Sequence, residues 1–482
     1  MLPIDETNRP WWTLVGACSG LFLLMLDSTV VALALSSVRA DLGAGAAELQ
    51  WVMNGYLLTI AVLVVTAGRL GDMFGRKRMF VLGMVCFAAG SVLSGAAQSP
   101  TMLIAGRALQ GVGAAPMLSL SLAIVCNAFP ASQQPRALGI WAAVSAIALA
   151  IGPVVGGALI AVDWRLIFWI NLPIVAIGLA VVLAATPEST DPGAGRRVDF
   201  GGLSTLAVGL GAVVLAMVQS RAWPAEVTAG LAVVGVLSLA AFALIERRVR
   251  EPIVEFALFR NGPYFGASAA AFAVVGSYWA VMFFQPQYLQ DARGHSAILS
   301  GLMILPVTAP MVFVSPFSGR LIGRFGARAL MTAGMGFGTA GLIVLTQIGP
   351  DSSYGFLLGG YLLFGIAIGL VYAPMSTAAM AAMPAEKVGI ASGVLAMDRI
   401  VAGSLALAAT GAAFHALQAS GDSFTAAIAG STWVAVALCL IGAALTWAFV
   451  RDPGHPGPDP AVAGNPHPSA LQHHTHHRRF HL

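Results

Sequence analysis

Long apolar runs separated by short polar breaks fill almost all of the chain up to residue 450. Most runs reach about 17 to 25 residues, the length a helix needs to cross the hydrocarbon of a bilayer. The pattern predicts fourteen spans, near 11–36, 48–68, 79–97, 100–127, 137–161, 166–185, 202–220, 226–246, 263–289, 298–320, 329–349, 354–378, 388–416 and 426–450. Two polar segments, Thr186–Phe200 and Arg247–Asn261, interrupt it more deeply than the rest. They bracket two spans that hold almost nothing polar. The parsing is six helices, an inserted hairpin of two, then six more. A helix apolar all round can face lipid, so the hairpin is expected at the periphery.

One short phrase occurs twice, 251 residues apart: Gly68-Arg69-Leu70-Gly71-Asp72-Met73-Phe74-Gly75, then Gly319-Arg320-Leu321-Ile322-Gly323-Arg324-Phe325-Gly326. Five of the eight aligned positions are identical. The first copy runs into Arg76-Lys77-Arg78 and the second into Ala327-Arg328. A basic, glycine-rich hinge repeated between membrane helices predicts two bundles with one internal plan, the architecture of alternating access.

Composition agrees with the pattern. Hydrophobic residues make up 58% of the chain and charged residues 10%, with a mean hydropathy of +0.83. A soluble protein carries about a quarter charged residues. The net charge of +4 is therefore no nucleic-acid signal, because the placement of the positive charges matters more. With the N-terminus in the cytoplasm, 19 of the 25 Lys and Arg fall on cytoplasmic segments, among them Arg196, Arg197, Arg250, Arg478 and Arg479. Four (Arg39, Arg165, Arg221, Arg293) fall outside, and Arg107 and Arg399 lie within spans. This partition predicts a multi-pass protein of the cytoplasmic (inner) membrane with both termini inside.

The expected organisation is an all-α polytopic membrane fold: a cytoplasmic N-terminus (1–10), a six-helix bundle (11–185), linkers with the hairpin (186–262), a second six-helix bundle (263–450) and a disordered Pro/His-rich tail (451–482). Cys18, Cys86, Cys126 and Cys439 all fall in apolar spans and read as packing residues; no disulfide or metal spacing is visible. Seven of the nine histidines lie in the tail, where disorder is the first reading. No metal and no cofactor is expected.

Only two carboxylates lie well inside spans, Asp27 and Asp398. Holding a charge in hydrocarbon costs several kcal/mol, so each is a functional candidate that should have a partner. Asp27 sits roughly 24 Å from the cytoplasmic face and Arg107 roughly 10 Å below the outer one, depths that match. A carboxylate beside a movable arginine can load and release a proton; a static pair locking two helices is the other reading. Asp398 and Arg399 neighbour one another at mid-depth but point about 100° apart. Asp398 is expected to face a central cavity and favour cationic substrates, with a second proton site or a structural partnership as alternatives. Gln285 and Tyr288 are further cavity candidates. In the fifth span Gly152-Pro153-Val154-Val155-Gly156-Gly157 combines close-packing glycines with a ladder-breaking proline, which suits a pivot or seal, or plain tight packing.

Over about residues 11–450 these residues resemble the 14-helix drug:proton antiporters of the major facilitator superfamily. Gly68 to Lys77, with Asp72, Gly75 and Arg76, is similar to the superfamily's loop motif between helices 2 and 3, although Met73 stands where a basic residue is usual. Arg107-Ala108-Leu109-Gln110-Gly111 resembles the helix-4 motif whose arginine is implicated in proton coupling. Gly152-Pro153 with Gly156-Gly157 resembles the helix-5 antiporter motif, and Leu26-Asp27-Ser28-Thr29-Val30-Val31 the helix-1 motif, with Ala32 and Ser36 departing from it. Trp164-Arg165, Phe168, Asn171 and Pro173 resemble a recurring stretch after helix 5. The resemblance implies a cytoplasmic gate around Asp72 and its basic neighbours.

The resulting expectation is proton-coupled efflux of small amphipathic, often cationic drugs, antibiotics or toxins. Its partners are the substrate, protons and the lipid bilayer, not nucleic acid. Proton-coupled uptake, or handling of one specific metabolite, is the alternative within transport; a scaffold or sensor is the remote one. An enzyme or ATP-driven pump is not expected: Lys77 and Lys387, the only lysines, follow Arg76 and Glu386, so no Gly-Lys-Ser/Thr loop exists, and His-Glu-x-x-His and Gly-x-Ser-x-Gly are missing too.

Overall fold

A computed structural model of the chain describes residues 5–130, 132–190, 199–249, 252–384 and 387–451. Arg196, Arg197, Arg250, Arg478, Arg479 and the tail histidines lie outside the described residues. Among the described residues there are helices, turns and no strands. In hydrocarbon a backbone must satisfy its own hydrogen bonds, and a helix does this within one segment.

Among the described residues, fourteen helices are long and apolar enough to span a membrane. They are α1 (Arg9–Leu42), α2 (Ala46–Phe74), α3 (Arg76–Gly95), α4 (Pro100–Ala128), α5 (Gln134–Ile160), α6 (Leu166–Ala185), α7 (Phe200–Val218), α8 (Ala225–Glu246) and α9 (Gly262–Gln287). A π turn, Tyr288–Ala292, extends α9. The helical run Ala297–Leu345 holds one residue with non-helical angles, Gly326, which divides it into α10 (297–325) and α11 (327–345). The set closes with α12 (Tyr354–Ala381), α13 (Val388–Ala419) and α14 (Phe424–Phe449). Side-chain caps fix several starts: Ser99, Asp199, Asn261, Ser296, Ser353 and Ser423 each accept from a backbone amide three residues on.

The repeat seen in the sequence is a repeat in backbone geometry. Gly75 (φ 115°) ends α2 and Gly326 (φ 79°) ends α10, at equivalent places in the two copies. Gly43 (φ 65°) and Gly294 (φ 68°), also 251 residues apart, close α1 and the extended α9. The expected loops around 69–78 and 321–328 contract to single residues, because one left-handed glycine is enough to redirect a helix.

The hairpin departs in part from expectation. Most of α8 is exposed, as a lipid-facing helix should be, whereas α7 packs against α2 and α13. Val214 and Val218 of α7 are buried with Ala408 of α13, against Trp51 and Leu58 of α2. One helix of the hairpin thus covers the line where the two halves meet. Lack of polar residues on α7 allowed a lipid face but could not distinguish it from a helix-facing one.

Since alanine at φ 79°, ψ 160° is strained, Gly326→Ala is expected to destabilise by about 1–3 kcal/mol. Gly323→Ala, in a helix with open space around it, is expected to be neutral or slightly stabilising. Thermal melting of the two purified variants in detergent checks the contrast.

Candidate functional site

Five helices deliver side chains to one buried cluster in the first half. Asp27 of α1 and Arg107 of α4 pair at 2.5 Å (Oδ2 to Nη1), and neither side chain has exposed surface. The other carboxylate oxygen, Oδ1, accepts from Gln110 Nε2 at 3.2 Å and Asn171 Nδ2 at 3.4 Å. Ser91 Oγ accepts from both amides, at 2.9 Å from Gln110 and 3.2 Å from Asn171. Arg107 Nε donates to the Val52 carbonyl at 3.2 Å, and its guanidinium lies 4.2 Å from the Tyr56 ring centre. Arg107 Nη2 has no hydrogen-bond partner among the described residues, so the ring face supplies part of what water would.

Helix packing sets this geometry. α3 and α4 meet through glycines, and a Cβ at Gly90 would stand 2.5 Å from the Gln110 amide nitrogen. That approach puts Ser91 within reach of Gln110. On α5, Gly152 lies against Thr29, and a Cβ at Gly156 would stand 3.0 Å from Val30. The glycine face of α5 therefore rests on α1 just beyond Asp27. The next glycine, Gly157, faces the Ala297 carbonyl of α10, where an added Cβ would stand 2.8 Å away. One helix so touches both the charged cluster's helix and the opposite half.

The first copy of the repeated motif forms a local structure of its own. Arg76 Nε donates to Asp72 Oδ1 at 2.7 Å. Glu188, which follows α6, accepts from the amides of Lys77 (3.0 Å) and Arg78 (3.2 Å), capping α3. Lys77 Nζ donates to the Leu183 carbonyl at 2.9 Å. A Cβ at Gly75 would stand 2.7 Å from the Glu188 carboxyl, so this position takes no side chain without displacing the cap. All these contacts stay within the first half.

Polar links between the halves lie at the opposite end. Arg39 of α1 forms an ion pair with Asp291 and donates to Gln287 Oε1 at 2.7 Å. Gln290 donates to the Leu33 carbonyl at 2.9 Å. Between α2 and α13, Gln50 meets His415 at 3.1 Å and Ser404 donates to Asn54 at 3.0 Å. At the motif end, by contrast, Gly139 of α5, Gly319 of α10 and Gly393 of α13 have nothing within 4 Å of where a Cβ would stand. The hydrogen bonds and the ion pair named between the halves all lie at the far end.

The remaining candidates do not converge. Asp398 accepts from Ser268 Oγ at 2.7 Å and borders a crevice between α9, α13 and α14, not the seam between halves. The face of α13 that meets α2 carries Ser404 and His415, and the helical period turns Asp398 roughly 100° or more away from both. Arg399 lies over the Tyr372 ring at 5.3 Å and bonds the Leu395 carbonyl, so the two neighbours are not paired. Gln285 is buried and accepts from Tyr361 Oη at 2.7 Å. Tyr288 donates to the Gly349 carbonyl at 2.8 Å, tying α9 to the loop after α11. Ser91, Tyr56 and Glu188 were not legible as site residues. Gln110 was within reach, since it sits one helical turn from Arg107 on the same face.

Two repeated helical halves meeting along a seam closed at one end, with a buried charge cluster in the first, define a secondary transporter. The chain belongs to the Major Facilitator Superfamily, whose profile matches residues 17–407. It is 36% identical over 403 residues to the multidrug resistance protein Stp of Mycobacterium tuberculosis (strain CDC 1551 / Oshkosh), covering 83% of this chain and 75% of that one. It is 34% identical over 410 residues to the tetracenomycin C resistance and export protein of Streptomyces glaucescens, covering 84% and 76%. Among solved structures, a D-xylose–proton symporter matches with a TM-score of 0.65 at 14% identity, covering 91% of this chain and 97% of that one. That likeness speaks for the fold alone.

The Arg39–Asp291 pair is expected to hold the far end shut. Arg39→Asp and Asp291→Arg should each raise thiol labelling of a cysteine placed at Asn54 by about threefold or more, as for loss of a partly exposed pair worth about 0.5–1 kcal/mol. The double variant should return labelling toward the parental level.

Proposed function

We propose that this protein exports small amphipathic compounds, antibiotics and other toxins among them, in exchange for protons, by alternating access. The reading is carried by the buried carboxylate of Asp27, which shares its surroundings with a single arginine on another helix. The printed functions of its relatives, multidrug resistance and tetracenomycin C resistance and export, support the export direction.

The cycle follows from electrostatics. In the present conformation Arg107, Gln110 and Asn171 direct donors at Asp27, an arrangement suited to its charged form. If the halves rock so that the far end opens, α5 slides past α10 while staying packed on α1, and Arg107 can part from Asp27. An unpaired carboxylate in hydrocarbon then takes a proton from the far side. Closing that end and opening the motif end restores the pair and expels the proton. The charge partition supports a cytoplasmic motif end. On this reading the structure is inward-facing, deprotonated and ready for substrate. The chain divides functionally at 11–185 and 263–450, with 186–262 carrying the hairpin. Asp72, Arg76 and Lys77 gate the inner end, meeting the other half when it closes, while Gly152, Pro153, Gly156 and Gly157 form the pivot.

In vesicles holding the purified protein, uphill export should collapse with a protonophore. Asp27→Asn should abolish it while leaving downhill exchange; retention of uphill transport by well-folded Asp27→Asn would remove Asp27 from the mechanism. Arg107→Lys should keep less than about a tenth of the wild-type rate, since an ammonium lacks the guanidinium's fork of donors. Removing either partner leaves a buried charge alone, so yield and melting temperature are measured alongside.

Orientation is tested separately. In a background without native cysteines, cysteines at positions 76 and 324 should resist a membrane-impermeant thiol reagent in intact cells and react in inverted vesicles. Reaction from outside would reverse the assigned orientation.

A further inference from the structure

The crevice beside Asp398 lies outside the seam and outside the charged cluster of the first half. It has a volume of about 220 Å³ and lies between α9, α13 and α14, with Phe259 at its motif end. Phe265, Phe272 and Leu445 line its walls, and Ile441 at its edge is 57% exposed on the outer face of α14. That face meets lipid, so the crevice opens sideways into the bilayer. Asp398 is its one acid. One carboxylate oxygen accepts from Ser268; the other has no hydrogen-bond partner among the described residues, and no cation among them pairs with it. Arg399, next to it in the chain, lies over the Tyr372 ring and forms no ion pair with it, though its charge still acts on the carboxyl.

A carboxylate without an ion-pair partner about 15 Å into the membrane from the start of α13 is costly as a charge, and either a proton or a cation that reaches it removes that cost. The crevice lets such a partner arrive from the bilayer. Its walls are apolar and aromatic, and ring faces attract cations as well as covering apolar surface. The volume is below the roughly 300–1,000 Å³ of an enclosed drug site. It suits the charged end and one ring of a molecule whose tail stays among the acyl chains.

We propose that the α9–α13–α14 crevice is a lateral binding site for amphipathic monocations dissolved in the motif-end leaflet, with Asp398 as counter-ion. The site lies away from the seam and rests on the export reading only for its purpose, which is to collect substrate from the membrane before transport.

The test uses full-length protein in phosphatidylcholine nanodiscs and radiolabelled benzyldimethyldodecylammonium, with benzyl dodecyl ether as the neutral counterpart. Asp398→Asn should weaken binding of the cation by about tenfold or more, and Asp398→Glu by less. Ala269→Phe, which fills the crevice and keeps the acid, should weaken it comparably; Ala269→Leu serves if the larger residue disturbs folding. Binding of the ether should change little in Asp398→Asn. Four results would each overturn the proposal: no saturable binding by the parent, undiminished binding in both Ala269 variants, equal losses for cation and ether in Asp398→Asn, or displacement of the cation by phosphatidylethanolamine, which would make the occupant a lipid amine. Export of a neutral substrate from vesicles is measured in the same variants. Its loss in the parent would count against efflux, and its persistence alongside failed cation binding would count against this site alone.

Discussion

The pairing of Asp27 with Arg107 constrains the first half more than any other contact. Two ionisable groups with no exposed surface are tolerated in an apolar bundle only when their lone pairs and protons are nearly all occupied. That requirement fixes Gln110 one turn along α4, Asn171 on α6, Ser91 on α3 and the Tyr56 ring on α2 around the pair. It also demands the glycines that bring α3 and α4 into backbone contact. Five helices are thereby placed by one carboxylate. Arg107 Nη2 has no hydrogen-bond partner among the described residues, and the guanidinium lies over the Tyr56 ring.

The seam between halves is built in the opposite manner. Its polar links are few, lie at one end, and leave Gln50 Oε1 and Asn54 Nδ2 without partners among the described residues. Buried polar atoms that gain only part of their hydrogen bonds make a weak interface. An interface of this kind can separate without dismantling either half. Gly157 of α5 and Gly301 of α10 supply close, smooth packing at the same seam, where protruding side chains would interlock and resist sliding. Firm bundles joined by a weak, one-ended seam are what alternating access needs.

The two halves repeat in backbone and diverge in chemistry. Helix ends recur at 251 residues for Gly43 with Gly294 and for Gly75 with Gly326, and at 254 for the caps Ser99 and Ser353. By these offsets Asp27 corresponds to Tyr278 and Arg107 to Tyr361. Tyr361 is fully buried and bonds the neutral Gln285. The second half thus keeps the framework and fills the charged positions with uncharged side chains. Its one deep acid, Asp398, lies elsewhere, beside lipid.

Much of this was legible in the chain itself. Apolar run length and the polar breaks determined fourteen spans, because crossing hydrocarbon is a matter of length and composition. The repeated Gly-Arg-Leu phrase determined the duplication, and matching depth brought Asp27 and Arg107 together, because rise per residue is a property of any helix. Helix rotation was not legible, since it depends on which neighbours a helix packs against. Only the tertiary structure turned Asp398 from the seam to the α9–α14 crevice, set Tyr288 against a loop carbonyl, and placed α7 on the seam while α8 faced lipid. The pairing of Arg39 with Asp291 and of Asn54 with Ser404 likewise joins residues hundreds of positions apart, and no local pattern in a sequence encodes which distant surfaces will meet.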